Sequence, residues 1–202
     1  MVNGYGLGAT LIFGLTLLLS LIGLYVRPTL IERSLFRPYW FLRQRQYTTV
    51  IMSGFVHADV PHLIFNMMTF YFFAFPLEQY IGTARFLLLY FAGLLCSEIG
   101  TYFKQRGNPD YSSLGASGAI IAVLFASVVY FPEQRLFIFP IPVPIPAPLF
   151  AVGYLAYSYY SSRYARGRIN HDAHLGGAIT GLVFVALTSP GAYGNLLRML
   201  AG

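Results

Sequence analysis

The chain has 202 residues, of which 56% are hydrophobic and 10% are charged. A soluble domain is about 45–50% apolar and about 25% charged, so the composition excludes an ordinary soluble domain and indicates a protein of the lipid bilayer. The net charge of +6 does not indicate nucleic acid as a partner, because the arginines punctuate apolar runs and form no basic face; lipid headgroups are the expected partners. A single cysteine excludes an intrachain disulfide.

Uncharged runs predict the membrane spans, because a helix needs about 20 residues to cross about 30 Å of hydrocarbon. The first run, 8–26, has no basic segment before it and no cleavage site after it, so it is expected to be a retained helix. The pattern predicts an all-α polytopic membrane protein that forms one domain, 1–202. Six transmembrane helices are expected at approximately 8–26, 62–80, 86–103, 115–131, 149–162 and 173–189.

The segment that follows helix one, 27–59, is expected to lie in the membrane interface and not to span. It mixes arginines with aromatic residues such as Tyr39 and Trp40. Aromatic rings at headgroup depth and charges in water suit an interfacial segment.

Proline, glycine and one carboxylate mark the following segments. Pro61 suits the first turn of the second helix, and Gly82 suits the turn before the third. Glu98 lies inside the third span, where an ionisable group must face a partner or an end of the span. The alternating prolines of 139–148 exclude a helix and predict a polyproline-like loop, either a stiff connector or a docking segment.

Three polar residues begin three of the predicted helices. His62 opens the second, Ser117 the fourth and His174 the sixth, and because successive helices alternate in direction, all three start from the same face of the membrane. His174 can act as general base for the Ser117 hydroxyl. His62 and Asn66, at i and i+4, share a helix face and can donate hydrogen bonds to an oxyanion together with the backbone N–H of Ser117.

Each of these features alone has a structural interpretation. A Gly-x-Ser-Gly sequence is usually a packing motif, and a membrane histidine or asparagine more often hydrogen-bonds between helices. Four such residues at one depth favour catalysis, because polar groups in a membrane are costly and generally pair or function. No metal or cofactor is expected, because the four histidines lack the spacing of a zinc helix and no carboxylate completes a metal site beside them.

Motifs distributed over nearly the whole chain resemble those of the rhomboid intramembrane serine proteases. They are Gly54-Phe55-Val56-His57, His62-x-x-x-Asn66, Leu77-Glu78 with Gly82, Gly115-Ala116-Ser117-Gly118, and Ala173-His174-x-x-Gly177-x-x-x-Gly181. Independently of the resemblance, Gly177 and Gly181 fit a small-xxx-small face that lets helix six approach helix four.

The resemblance implies a serine endopeptidase of the six-helix form, with Ser117 as nucleophile and His174 as base. His62, Asn66 and Gly115 would surround the oxyanion and the substrate. The expected substrates are transmembrane proteins, and the expected location is the bacterial inner membrane. Structural support is expected from Gly118, Gly177, Gly181 and Glu78.

Two positions bear on the resemblance. Well-known rhomboid proteases place a tyrosine four residues after the serine, against the catalytic histidine, and here that position is Ile121. The aromatic stack therefore cannot be transferred to this chain. His57 matches a recurrent histidine of the family and is interpreted as structural.

The distribution of basic residues conflicts with the orientation that the resemblance implies. Ten of the thirteen Lys and Arg residues lie in the loops after helices one, three and five, on the side of the candidate site. The positive-inside rule makes that face cytoplasmic, whereas bacterial rhomboids open outward. We expect the outward orientation, because five of the ten lie in the interfacial segment, where packing can hold them.

The sequence allows two other functions to be considered for this chain: client binding without catalysis, and transport. A rhomboid-like protein without catalysis could bind client helices, but it would not need both Ser117 and His174. A small transporter would use ionisable residues within its spans, and only Glu98 and Glu78 fit that description.

Overall fold

The computed structural model describes residues 6–138, 141–164 and 169–201, and within them the chain is mostly helical. The basic residues Arg166 and Arg168, counted above, lie outside the described residues. In chain order the helices are α1 (Leu7–Leu21), which continues as a π-helical turn at Ile22–Val26, α2 (Thr29–Ser34), α3 (Pro38–Arg43), α4 (Thr49–Met52), followed by a 3-10 turn at Ser53–Phe55, α5 (Val60–Ile81), α6 (Thr83–Gln105), α7 (Ser117–Tyr130), α8 (Ala147–Tyr164), α9 (His171–Thr188) and α10 (Gly191–Ala201).

Three of these segments are long and apolar enough to cross a membrane: Leu7–Val26, α5 and α6. A fourth span results when α9 and α10 are taken as one pair, although the two helices are bent by 114°. The chain is therefore a helical membrane protein with three or four candidate spans among the described residues. The predicted helices at 115–131 and 149–162 correspond to α7 and α8, and α7 has only 14 residues.

Helix α7 is the centre of the bundle. Every residue from Gly118 to Tyr130 is buried, and α5, α6, α8 and α9 pack around it. A helix that is apolar on all sides suits such a position, because it has no polar face that would have to turn to water. The residue that begins this helix, Ser117, is consequently fixed by the core itself.

Helices α5 and α6 are consecutive helices that meet at Gly82, and their ends are set by local chemistry. The Asp59 carboxylate caps α5 by accepting a hydrogen bond from the His62 N–H at 2.8 Å, and Pro61 occupies the first turn. Gly82, with φ +82°, ends α5 and begins α6, a conformation that favours glycine. These caps fix where His62 lies at the start of α5.

Glu78, near the end of α5, holds the beginning of α1. Its carboxylate is 2% exposed and accepts hydrogen bonds from the N–H groups of Gly8 at 2.9 Å and Ala9 at 2.7 Å. The Thr83 hydroxyl donates a third at 2.6 Å. The first N–H groups of a helix lack partners within it and carry partial positive charge, so a carboxylate is the favoured acceptor.

The segment between α1 and α5 consists of short helices that are too short to span. It is fastened to the loop that leads to Ser117. Phe36 and Ser113 exchange two backbone hydrogen bonds at 3.0 and 2.9 Å, and the Trp40 indole donates to the Pro109 carbonyl at 3.2 Å. The segment therefore positions the loop in front of α7.

The proline-rich segment corrects the expectation of a polyproline-like loop and adds a short hairpin to a fold that is mostly helical. Residues 135–138 and 141–146 form an antiparallel hairpin, β1 (Arg135–Ile138) and β2 (Ile141–Pro146), in which Leu136 pairs with Ile145; Phe139 and Pro140 lie outside the described residues. Ala147, just beyond β2, donates its N–H to Gln134 at 2.9 Å. Successive residues of a strand direct their N–H groups toward opposite edges. In β2 the N–H groups of the odd-numbered residues face β1. The even-numbered prolines, which have no N–H, stand at the positions that face the outer edge, where no donor is needed.

Replacing Glu78 by alanine should destabilise the fold. The substitution leaves the Gly8 and Ala9 N–H groups buried without an acceptor, and two hydrogen bonds to a charged group are worth about 3–6 kcal/mol together. Thermal unfolding in detergent, followed by circular dichroism, measures the effect. Glu133→Ala, at an exposed position before β1, is the control and should match wild type. Equal unfolding midpoints for both variants would contradict the capping role.

Candidate active site

Ser117 is the first residue of α7, and the two residues before it shape the approach. Gly115 has φ +124°, in the left-handed region, and a Cβ there would come within 2.5 Å of the His62 ring. Glycine is therefore required both by the backbone and by the ring of His62. The Gly115 N–H donates to the Ser53 carbonyl at 2.8 Å, so this N–H is not directed at a substrate.

His174 lies in the first turn of α9, and polar contacts fix that turn. The Asn170 side chain caps the helix by accepting from the Ala173 N–H at 3.1 Å, and the Thr101 hydroxyl of α6 donates to the same oxygen at 3.1 Å. Lys104 of α6 forms an ion pair with Asp172 at 2.9 Å. The start of α9 is thus tied to the end of α6.

The structure brings Ser117 and His174 together. The Ser117 hydroxyl lies 2.9 Å from Nε2 of His174, within the range of a hydrogen bond between a nucleophile and its base. An imidazole at this distance can accept the hydroxyl proton as the oxygen attacks a carbonyl. The two side chains are partly buried between α7 and α9.

Glycines allow the two helices to approach this closely. A Cβ at Gly177 would overlap the carbonyl oxygen of Gly118, and a Cβ at Gly181 would overlap that of Ala122. Gly118 in turn lies against the Ser97 hydroxyl of α6. Backbone-to-backbone packing at small residues is the usual way in which membrane helices associate.

Of the two side chains expected around the oxyanion, His62 lies close to the start of the serine helix, and the hydrogen bond of Asn66 is within its own helix. The His62 ring packs on Gly115, close to the start of α7. Asn66 is 7% exposed, and its amide donates to the His62 carbonyl at 3.0 Å, within its own helix. One N–H of the Asn66 amide is therefore used to brace the helix, and an amide carries two.

His57 is buried behind His62. Its Nδ1 lies 3.0 Å from the Ser20 hydroxyl of α1, and its ring meets that of His62 edge to face at 5.0 Å. Burial, with a smaller contribution from His62, lowers the pKa of His57 from 6.5 to about 3. The ring is consequently neutral at physiological pH and links α1 to the site.

Two aromatic residues near His174 were not predicted. The Tyr154 hydroxyl of α8 lies 2.9 Å from Nδ1 of His174, and the two rings stack at 26°. His171 lies edge to face with His174, with 5.9 Å between ring centroids. Tyrosine is so frequent in α8 that its sequence alone does not indicate which one faces the histidine.

Among the described residues no group of three or more His, Cys, Asp or Glu side chains is arranged to hold a metal ion. Glu98 is buried at 9% exposure and faces Thr101 and Asn170, away from any cluster of carboxylates. The arrangement that remains is a serine and a histidine in contact, with a second histidine packed on the glycine two residues before the serine.

Comparison with known proteins gives the family. The rhomboid domain model matches residues 44–191, and the chain belongs to the rhomboid family. The match includes all the residues of the candidate site, from His62 to Gly181.

Three relatives illustrate the similarity. The rhomboid protein YdcA of Bacillus subtilis is 40% identical over 78 residues, which is 39% of this chain and 38% of YdcA. The mitochondrial presenilin-associated rhomboid-like protein A of Danio rerio is 33% identical over 67% of this chain and 36% of its own length. Rhomboid protein 1 of Saccharomyces cerevisiae mitochondria is 28% identical over 72% of this chain and 44% of its own length. The matched region is thus less than half of each relative.

The buried His57 should make stability depend on pH. The unfolded chain takes up a proton near pH 6.5, whereas folded His57 does so only near pH 3, so stability is complete above about pH 6.5 and is lost as the pH falls through this window. One such group contributes a slope of up to about 1.4 kcal/mol per pH unit.

The comparison of wild type with His57→Gln isolates this contribution, because glutamine does not titrate and can still bond to Ser20. Unfolding free energies measured between pH 6.5 and 4 should fall more steeply for wild type. Parallel slopes for the two proteins would show that His57 is not the titrating group.

Proposed function

We propose that the protein is an intramembrane serine endopeptidase that hydrolyses peptide bonds in or near the transmembrane segments of other membrane proteins. The observation that supports this most directly is the 2.9 Å contact between the Ser117 hydroxyl and Nε2 of His174 at the head of a buried helix. No cofactor is needed for this chemistry.

In the proposed reaction Ser117 attacks the scissile carbonyl while His174 takes its proton. The C–N bond then breaks, the imidazolium of His174 protonates the departing amine, and the acyl group stays on the serine. Water, deprotonated by His174, attacks the ester and releases the second product. The proton of Ser117 thus ends on the departing amine, and the proton of the attacking water ends on the serine oxygen when the ester bond breaks.

The oxyanion that forms in this reaction would be stabilised by three donors: the backbone N–H of Ser117, the His62 ring and the free N–H of Asn66. The Ser117 N–H lies at the start of α7, where helix N–H groups lack internal partners and carry partial positive charge. Loss of one such donor typically costs about 100- to 1000-fold in rate. Gly115 assists through its shape, because it admits the His62 ring.

The membrane topology belongs to the same proposal. We propose six spans, with α7 and α8 crossing alongside α1, α5, α6 and α9. At 1.5 Å per residue the 14 residues of α7 measure about 21 Å, less than the hydrocarbon thickness of about 30 Å, so Ser117 lies below the membrane surface. The substrates would be membrane proteins, met at that depth.

For location we propose the bacterial inner membrane, with the site facing outward. A reporter fused after Gly202 that is found outside the cytoplasm would contradict this orientation.

Cleavage of a model transmembrane substrate in detergent tests the activity. Ser117→Ala and His174→Ala should each lower kcat by at least about 10³-fold, because residues of a nucleophile–base unit act together. A fluorophosphonate probe should label wild type but not Ser117→Ala. Equal cleavage by all three proteins excludes the dyad; absence of cleavage and labelling in folded wild type would favour a rhomboid-like protein that only binds client helices.

The helix contact beneath the dyad gives a second test. Gly177→Ala should lower kcat/KM by about 100-fold, because the added methyl group must push α9 away from Gly118 and displacement of a catalytic group by about 1 Å has an effect of that size. Gly100→Ala, which adds the same methyl group in open space on α6, is the matched control. If both variants retain full activity, the close contact does not set the dyad.

A further inference from the structure

We infer that Tyr154 is a positioning residue for His174, holding the imidazole in the tautomer that accepts the Ser117 proton. The inference rests on the proposed function and adds a third side chain to it. The family position for an aromatic residue, four after the serine, is Ile121 in this chain. The structure supplies the aromatic hydroxyl from a different helix, α8.

The geometry at the two ring nitrogens of His174 carries the inference. Nε2 lies 2.9 Å from the Ser117 hydroxyl, and Nδ1 lies 2.9 Å from the Tyr154 hydroxyl. A neutral imidazole has one N–H and one lone pair. For Nε2 to accept a proton from serine, Nδ1 must carry the hydrogen, and the Tyr154 oxygen lies where it can accept that hydrogen bond.

The hydroxyl hydrogen of Tyr154 then needs an acceptor other than His174. Ser158, one turn further along α8, is 0% exposed, faces the Tyr154 phenol, and its hydroxyl has no partner at ordinary hydrogen-bond distance. In the proposed arrangement the Tyr154 hydroxyl turns its hydrogen toward Ser158, which gives the direction His174 to Tyr154 to Ser158. This direction selects the productive tautomer, because the Tyr154 hydrogen is engaged away from Nδ1.

The ring of Tyr154 is itself held in place. Phe125 of α7 and Phe150 of α8 contact it, with centroids 5.8 and 5.6 Å away. Ile121 belongs to the same apolar cluster. Tyr154 therefore lies in the apolar contact between α7 and α8 and reaches His174 from the α8 side.

The consequence for the reaction is a specific one. When His174 becomes an imidazolium, its Nδ1–H carries more positive charge and binds the Tyr154 oxygen more strongly than in the ground state. An interaction that strengthens in the transition state raises kcat and leaves substrate binding unchanged. Tyr154 does not touch the substrate in this proposal and acts only through His174.

Tyr154→Phe is the test, since it removes the hydroxyl and keeps the ring stack. The proteins compared are full-length wild type, Tyr154→Phe, Ser117→Ala and Tyr160→Phe, the last removing an exposed hydroxyl from the same helix. Endpoint labelling with a fluorophosphonate counts the active sites, so that kcat is expressed per labelled site and any unfolded fraction is removed. A hydrogen bond to a charged group predicts a fall in kcat of about 10- to 100-fold with KM within about twofold, and slower labelling of Ser117.

The outcomes separate this inference from the proposed function. If wild type cleaves, Ser117→Ala does not, and Tyr154→Phe keeps the wild-type kcat per site, the positioning role is wrong and the protease stands. A rise in KM at unchanged kcat assigns Tyr154 to substrate binding and overturns the inference as well. If wild type neither cleaves nor labels, the proposed function itself fails.

Discussion

The contact on which the rest of the structure depends is that between the backbones of α7 and α9. Gly177 and Gly181, about one and two turns after His174, lie directly against the carbonyl groups of Gly118 and Ala122. Without side chains between them, the two helices lie at a separation set by backbone atoms alone. That separation is what brings Ser117 within hydrogen-bond distance of His174, because both residues lie in the first turns of their helices.

The membrane explains why other contacts must assist. Lipid does not drive helices together as water does, so packing at small residues and polar links must supply the specificity. The polar links are concentrated at helix ends: Glu78 caps α1, Asp59 caps α5 and Asn170 caps α9. Each places the start of a helix, and the starts of α5, α7 and α9 carry the candidate site. Capping, ordinarily a small stabilising effect, here also sets the geometry of the site.

Much of this arrangement follows from the sequence. Apolar runs predicted the major helices to within a few residues, and alternation of helix direction placed His62, Ser117 and His174 on one face. The hairpin was missed because alternating prolines suggest extended backbone but not its partner strand. Sequence spacing does not determine that the Gly115 N–H bonds to the Ser53 carbonyl, because that is a tertiary contact. Nor does it determine that one of the two N–H groups of the Asn66 amide is used within its own helix. Tyr154 was missed because α8 contains several tyrosines and only packing distinguishes them.

The helices that carry Ser117, His174 and Tyr154 differ in how firmly the bundle holds them. Ser117 and His174 lie on helices whose backbones touch, so neither can move without disrupting the bundle core. α8 is attached differently: its buried residues are Ala147, Pro148, Ser158 and Ser161, and most of its surface is exposed. A side chain at Nδ1 of His174 needs only to fill the space between α7 and α8 and to present an oxygen. In this chain α8 supplies it through Tyr154, and an apolar residue at position 121 is therefore compatible with a supported histidine.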